Sequence, residues 1–88
     1  DINFVIDESV EIGLLINSID QYNFSNLIKI EPLNIFRDPS LGENKKSITL
    51  NFHFQHTSKT LEDKDVNLVI DEIIKVVSKN YSAKLRQL

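Results

Sequence analysis

The sequence predicts an α+β domain, a four-stranded antiparallel sheet with two helices on one face. Three observations predict it. Apolar residues recur first by alternation and then at helical spacing, in the order strand, helix, strand, strand, helix, strand. Only two helical stripes occur, enough to cover one face of a small sheet. The most regular strand, Ser47 to Gln55, sets Ile48, Leu50, Phe52 and Phe54 against a polar row of Ser47, Thr49, Asn51, His53 and Gln55. A sheet covered on both faces would not spare such a row, so one face is expected to meet water.

Each element has its own signal. From Ile2 to Asp7, Ile2, Phe4 and Ile6 alternate with Asn3, Val5 and Asp7, which reads as the first strand. Ile12, Leu15, Ile16 and Ile19 then follow the i, i+3, i+4, i+7 spacing of a helix. Gly13 near its start costs about 1 kcal/mol relative to alanine and softens that boundary. Tyr22 to Asn26 breaks the pattern. Leu27 to Phe36 is strand-like again, and Pro32 within it implies a bulge or an edge position.

The stretch from Arg37 to Lys46 is turn chemistry and reads as a loop. After the Ser47–Gln55 strand, Thr60 is expected to cap a helix, with Asp63 three residues on. The buried stripe of that helix is Val66, Val69, Ile70, Ile73 and Val77, and Asn80 is expected as its left-handed C-cap. Ala83 to Arg86 alternates apolar and basic residues, enough for a short last strand. No repeat, linker or low-complexity segment interrupts the chain, so residues 1–88 read as a single domain. The economical packing of this order is a ferredoxin-like βαββαβ sandwich.

Composition narrows the function. At 88 residues, 41% hydrophobic and 26% charged, the chain is expected to fold around one core. No apolar run approaches the roughly 20 residues of a membrane helix. Cysteine is absent, which removes disulfides and thiolate chemistry. Methionine is absent too and the chain opens on Asp1, so a piece of a longer protein is expected, with no signal peptide to read. A net charge of −3 does not advertise nucleic-acid binding in bulk. Any such role must rest on where the positive charges lie.

Alternation with Leu33 and Ile35 inward puts Asn34 and Phe36 on the open face. Leu85 inward likewise puts Lys84 and Arg86 outward, and Arg37, Lys45 and Lys46 lie nearby. An aromatic ring beside cations suits a single-stranded base and its phosphate. The same spacing also fits Phe36 tucked beneath the 37–46 loop, and a bulge at Pro32 would reverse the parity of all that follows.

Other constellations carry less. His53 and His56 fall on a strand end and its turn with no cysteine or carboxylate cluster beside them, and read as solvated residues, not metal ligands. Glu62, Asp63 and Asp65 read as a first helical turn complementing the dipole, as do Asp7 and Glu8 before the first helix. No Gly-rich phosphate loop is present, and nothing supplies a catalytic nucleophile. Phe52 and Phe54 share the parity of Ile48 and Leu50 and read as core, unlike the outward aromatics of an RNA-recognition motif.

Four segments in order resemble one family. They are Asp1-Ile-Asn-Phe-Val-Ile-Asp-Glu-Ser-Val10, Asn34-Ile-Phe-Arg37 with Lys45-Lys-Ser-Ile48, Thr60-Leu-Glu-Asp-Lys-Asp-Val66 and Ala83-Lys-Leu-Arg86. Together they look like the ferredoxin-fold anticodon-binding domain that closes the beta subunit of bacterial phenylalanyl-tRNA synthetase. The resemblance implies a non-catalytic module that reads the anticodon of tRNA(Phe). In that family an aspartate and a tyrosine serve the first anticodon base, a guanine, and Asn34 and Phe36 occupy their positions. Phe36 keeps the stacking surface without the hydroxyl. Asn34 offers one acceptor and a donor where a carboxylate offers acceptors alone. Asp38 and Pro39 stand where the family usually has a glycine.

Arg37, Lys45, Lys46, Ser47, Thr49 and Arg86, read from their places on and beside the open face, complete the expected RNA-contacting set. The resemblance also implies no cofactor or metal in this domain, since ATP and magnesium are used by the parent enzyme's catalytic subunit. Partners would be the tRNA(Phe) anticodon loop, the rest of the beta subunit and the alpha subunit of a heterotetramer, in the cytoplasm and without a membrane. A single-chain organellar synthetase is a related parent. The competing class is a regulatory or protein-interaction module with no RNA role, because this fold hosts many functions.

Overall fold

Alternation in the first segment gives strand β1 (Ile2–Asp7), and the helical spacing after it gives α1 (Ile12–Asp20). The chain continues through β2 (Leu27–Phe36), a 3-10 turn (Pro39–Leu41), β3 (Lys45–Phe54), α2 (Asp63–Tyr81) and β4 (Lys84–Arg86). The computed structural model describes residues 1–55 and 63–86. The expected Thr60 cap and His56 lie outside them. The strands form one antiparallel sheet in the order β2-β3-β1-β4, which is the ferredoxin-like arrangement.

Both helices lie on the same face. Phe4, Ile6, Ile48 and Leu50 of the sheet are buried together with Leu15 and Ile19 of α1 and Ile73 and Val77 of α2. Side chains of this size contribute about 1.5–3 kcal/mol each when fully buried, so this single layer holds the fold. The break after α1 has a backbone cause. Asn23 and Asn26 take left-handed φ values of 52° and 63°, a conformation asparagine tolerates better than most residues.

Several details differ from the sequence reading. The strand β3 starts at Lys45, two residues before Ser47, because the backbone of Lys45 and Lys46 pairs with Asp7 and Ile6 of β1. Asn80 remains helical, and the left-handed residue is Ser82 at φ 53°. Tyr81 packs against the core, which carries the helix past Asn80. In β2 the register slips between Leu27 and Lys29 and again between Pro32 and Asn34. Leu33 is therefore an unpaired bulge residue, 50% exposed, and not the core residue that simple alternation gives.

Ile48 lies fully buried between Ile35 and Phe4 in the middle of the sheet. Its replacement by alanine is expected to cost about 2–5 kcal/mol, seen as a lower urea midpoint at unchanged slope. The same change at exposed Leu68 is expected to stay within about 0.5 kcal/mol.

Candidate nucleic-acid interface

Residues directly opposite one another in antiparallel strands point to the same face, so the register sorts the sheet into rows. Ile35, Ile48, Phe4 and Leu85 form a row on the helix side. The next row, Asn34, Thr49, Asn3 and Arg86, points to the open face. Phe36, Ser47, Val5 and Lys84 form the open-face row beyond it. Lys45 and Asp7 follow at one end, and Asn51 with Glu31 and His53 with Lys29 at the other.

The two edges of the sheet meet across this face. Arg86 belongs to β4 and Phe36 to β2, yet the Arg86 guanidinium carbon sits 4.9 Å from the centre of the Phe36 ring. That side chain reaches over β1 and β3 to make a cation–π contact. Ser47, between Phe36 and Val5 in its row, is only 2% exposed. Phe36 is 40% exposed. The Asp38 carboxyl is held below its ordinary pKa by hydrogen bonds from Ser40, with a smaller contribution from the Arg86 charge.

Amides and hydroxyls line the middle of the face. Thr49 Oγ1 donates to Asn3 Oδ1, and the Asn3 amide nitrogen carries two further N–H donors. Asn51 Nδ2 donates to Asp1 Oδ1, and its own carbonyl oxygen remains an acceptor. Asn34 has no side-chain partner among the described residues. Farther along, His53 Nε2 lies 3.3 Å from Glu31 Oε1, and Lys29 pairs with Glu31 at 3.7 Å.

At the other end Glu8 gathers three contacts. Arg37 donates through Nε at 3.0 Å and through its terminal nitrogen at 2.7 Å to the Glu8 carboxylate. Lys46 Nζ donates to the Glu8 carbonyl at 3.0 Å, and the Glu8 N–H donates to the Asn44 carbonyl at 2.8 Å. The fork from Arg37 lowers the Glu8 pKa, and the carboxylate raises that of Arg37. Asp7 is also lowered, first by hydrogen bonds from Ser9 and then by Lys45 and Lys46.

An aromatic ring, a guanidinium and a belt of amides on a bare sheet face form a surface suited to bases. Comparison with known proteins decides the family. Residues 1–86 match the ferredoxin-fold anticodon binding domain. The chain belongs to that family.

Relatives of this anticodon-binding domain are phenylalanine–tRNA ligase beta subunits. Those of Pseudoalteromonas translucida and Haemophilus influenzae are 29% identical over 86 residues, and that of Brucella melitensis is 31% identical over the same span. In each case the match covers 98% of this chain but 11% of the relative. The chain thus spans about a tenth of the length of these relatives.

The structure places Asn34, Phe36, Lys45, Ser47, Thr49 and Arg86 of the expected contact set on one face. It does not bring Lys46 there. Lys46 shares the parity of Ile48, points to the helix side, is 7% exposed and spends its ammonium on the Glu8 carbonyl. Arg37 lies past the end of β2 with its guanidinium committed to Glu8. The contact set omitted Asn3 and Lys84, both outward. Alternation in β1 and β4 already carried that signal. Among the described residues, no group of three or more His, Asp or Glu side chains converges to hold a metal, and no helix is long and apolar enough to cross a membrane.

Because the Glu8 pKa is lower folded than unfolded, its contribution to stability is complete above the ordinary glutamate value. It is lost as pH falls through the lowered one. Glu8→Gln is therefore expected to flatten the decline of the urea midpoint between neutral and acid pH. A decline as steep as that of the parent would remove the role assigned to the Arg37 fork.

Proposed function

We propose that this domain reads the anticodon loop of tRNA(Phe) on the open face of its sheet, as part of a phenylalanine–tRNA ligase. The observation that carries this reading is the Phe36 ring, half exposed on that face beside Asn34, Thr49 and Asn3. One base stacks on Phe36, and the neighbouring amides address base edges. An Asn34 amide offers a donor and an acceptor side by side, which suits the O6 and N1–H pair of guanine. Lys45 and Lys84 stand outward on the same face and offset phosphate charge.

In this reading the domain performs no chemistry and uses no cofactor. ATP and magnesium serve the catalytic subunit of the parent, and the domain holds the anticodon end so that the acceptor end reaches the active site. Its protein partners are the remainder of the beta subunit and the alpha subunit, in the cytoplasm. Family membership and the beta-subunit relatives support this assignment over a regulatory module.

The test is a titration of isotope-labelled domain with a tRNA(Phe) anticodon stem-loop, against a hairpin with a scrambled anticodon. Amide shifts at Asn34, Phe36, Lys45 to Asn51 and Arg86, weaker with the scrambled hairpin, are the expected result. Equal shifts with both hairpins would mean charge-driven contact without reading. Phe36→Ala is expected to weaken stem-loop binding by about 1–3 kcal/mol through lost stacking. Wild-type affinity with the fold intact would refute the platform.

The two lysines are expected to separate. Lys45→Ala should lower affinity for any hairpin and reduce the log–log salt slope by about 0.7. Lys46→Met should leave that slope unchanged and instead cost about 1–2 kcal/mol of folding stability. A salt slope that responds to Lys46 would place its charge on the RNA.

A further inference from the structure

We propose that Arg86 is a gate on the base-stacking site. In the free protein its guanidinium occupies the face of Phe36 on which a base stacks, and an entering base moves it off. The inference rests on the anticodon-reading proposal and specifies how that site opens.

The geometry leaves no room for both. Stacked planes sit roughly 3.5 Å apart at contact, so a base held between ring and guanidinium needs about 7 Å between them. The observed separation is 4.9 Å. Base and cation therefore compete for one surface. The competitor comes from the opposite edge of the sheet, from a strand of three residues, Lys84–Arg86. It is drawn toward Phe36 by the ring quadrupole and toward the nearby Asp38 carboxylate by charge.

Neither attraction is strong in water. Phe36 is 40% exposed, and an exposed cation–π contact holds a group by about a two- to fivefold preference. Such a gate covers part of the apolar ring and opens to a base without a large barrier. Once displaced, the guanidinium carries its charge to the phosphate beside the stacked base. A hairpin without a base to stack leaves the gate closed.

The test reads the Arg86 side-chain Nε–H by NMR. The chain has two arginines, so Arg37, held by Glu8, is the internal reference. In the free protein, ring current from Phe36 is expected to shift the Arg86 signal upfield, and Phe36→Leu to abolish that shift. Saturation with the anticodon stem-loop should return the signal to the unshielded position. The same hairpin with abasic anticodon positions should not.

An unshifted Arg86 signal in the free protein overturns the gate before any RNA is added. If β2 and β3 amides respond to the stem-loop while Arg86 stays shielded, the gate fails and anticodon reading stands. Equal release by the abasic hairpin also overturns it, because phosphate would then suffice. If no signal responds to any hairpin, the anticodon reading fails and the gate falls with it.

Discussion

Between Pro32 and Asn34 the register of β2 against β3 slips by one residue, and the side-chain period of two turns that slip into a change of face. Unbroken alternation from buried Ile30 would send Pro32, Asn34 and Phe36 under the helices and Leu33 and Ile35 into water. The extra residue, Leu33, restores Ile35 to the row of Ile48 and turns Asn34 and Phe36 outward. The first slip, at Ile28, does the same for Ile30, which would otherwise leave the core. Two unpaired apolar residues, both well exposed, are thus the structural cost of burying Ile30 while keeping an aromatic and an amide on the open face.

Electrostatically, the face is quieter than its sequence suggests. Arg37 is matched by Glu8, Lys45 lies 3.9 Å from Asp7, Lys29 shares Glu31, and Lys46 is buried. With a net charge of −3, little free positive potential remains to draw RNA nonspecifically. In the proposed role, recognition rests on stacking and on amides held by Thr49 and Asp1. Such a surface discriminates among bases better than it attracts a phosphate backbone.

How far the sequence carried the fold follows from what each signal encodes. β1 and β2 were bounded correctly because their apolar alternation and flanking turn residues are local facts. The start of β3 was not, because Lys45-Lys46 has the composition of a loop and is strand only through its pairing with β1. That error also misplaced Lys46, whose aliphatic stem fills the helix-side row where apolar residues run out. Asn34 and Phe36 were put on the right face, but by an alternation that also buried Leu33; a regular strand with Asn34 outward would expel Ile30, and the bulge reconciles the two by leaving Leu33 unpaired and exposed. The reach of Arg86 to Phe36 was beyond local reading, since it depends on strand order and on a side chain that crosses the sheet.

The irregularity of β2 also bears on how the molecule behaves among copies of itself. β2 forms one border of the sheet, where unpaired N–H and C=O groups invite a neighbouring chain to add a strand. Pro32 supplies no N–H there, two bulges disrupt the repeat, and Lys29 and Glu31 place charge on the strand. The opposite border offers only the three residues of β4. Both borders are thus poor templates for cross-β growth. The kinks that let β2 bury Ile30 also blunt a border that leaves Ile28, Leu33 and Ile35 open to water.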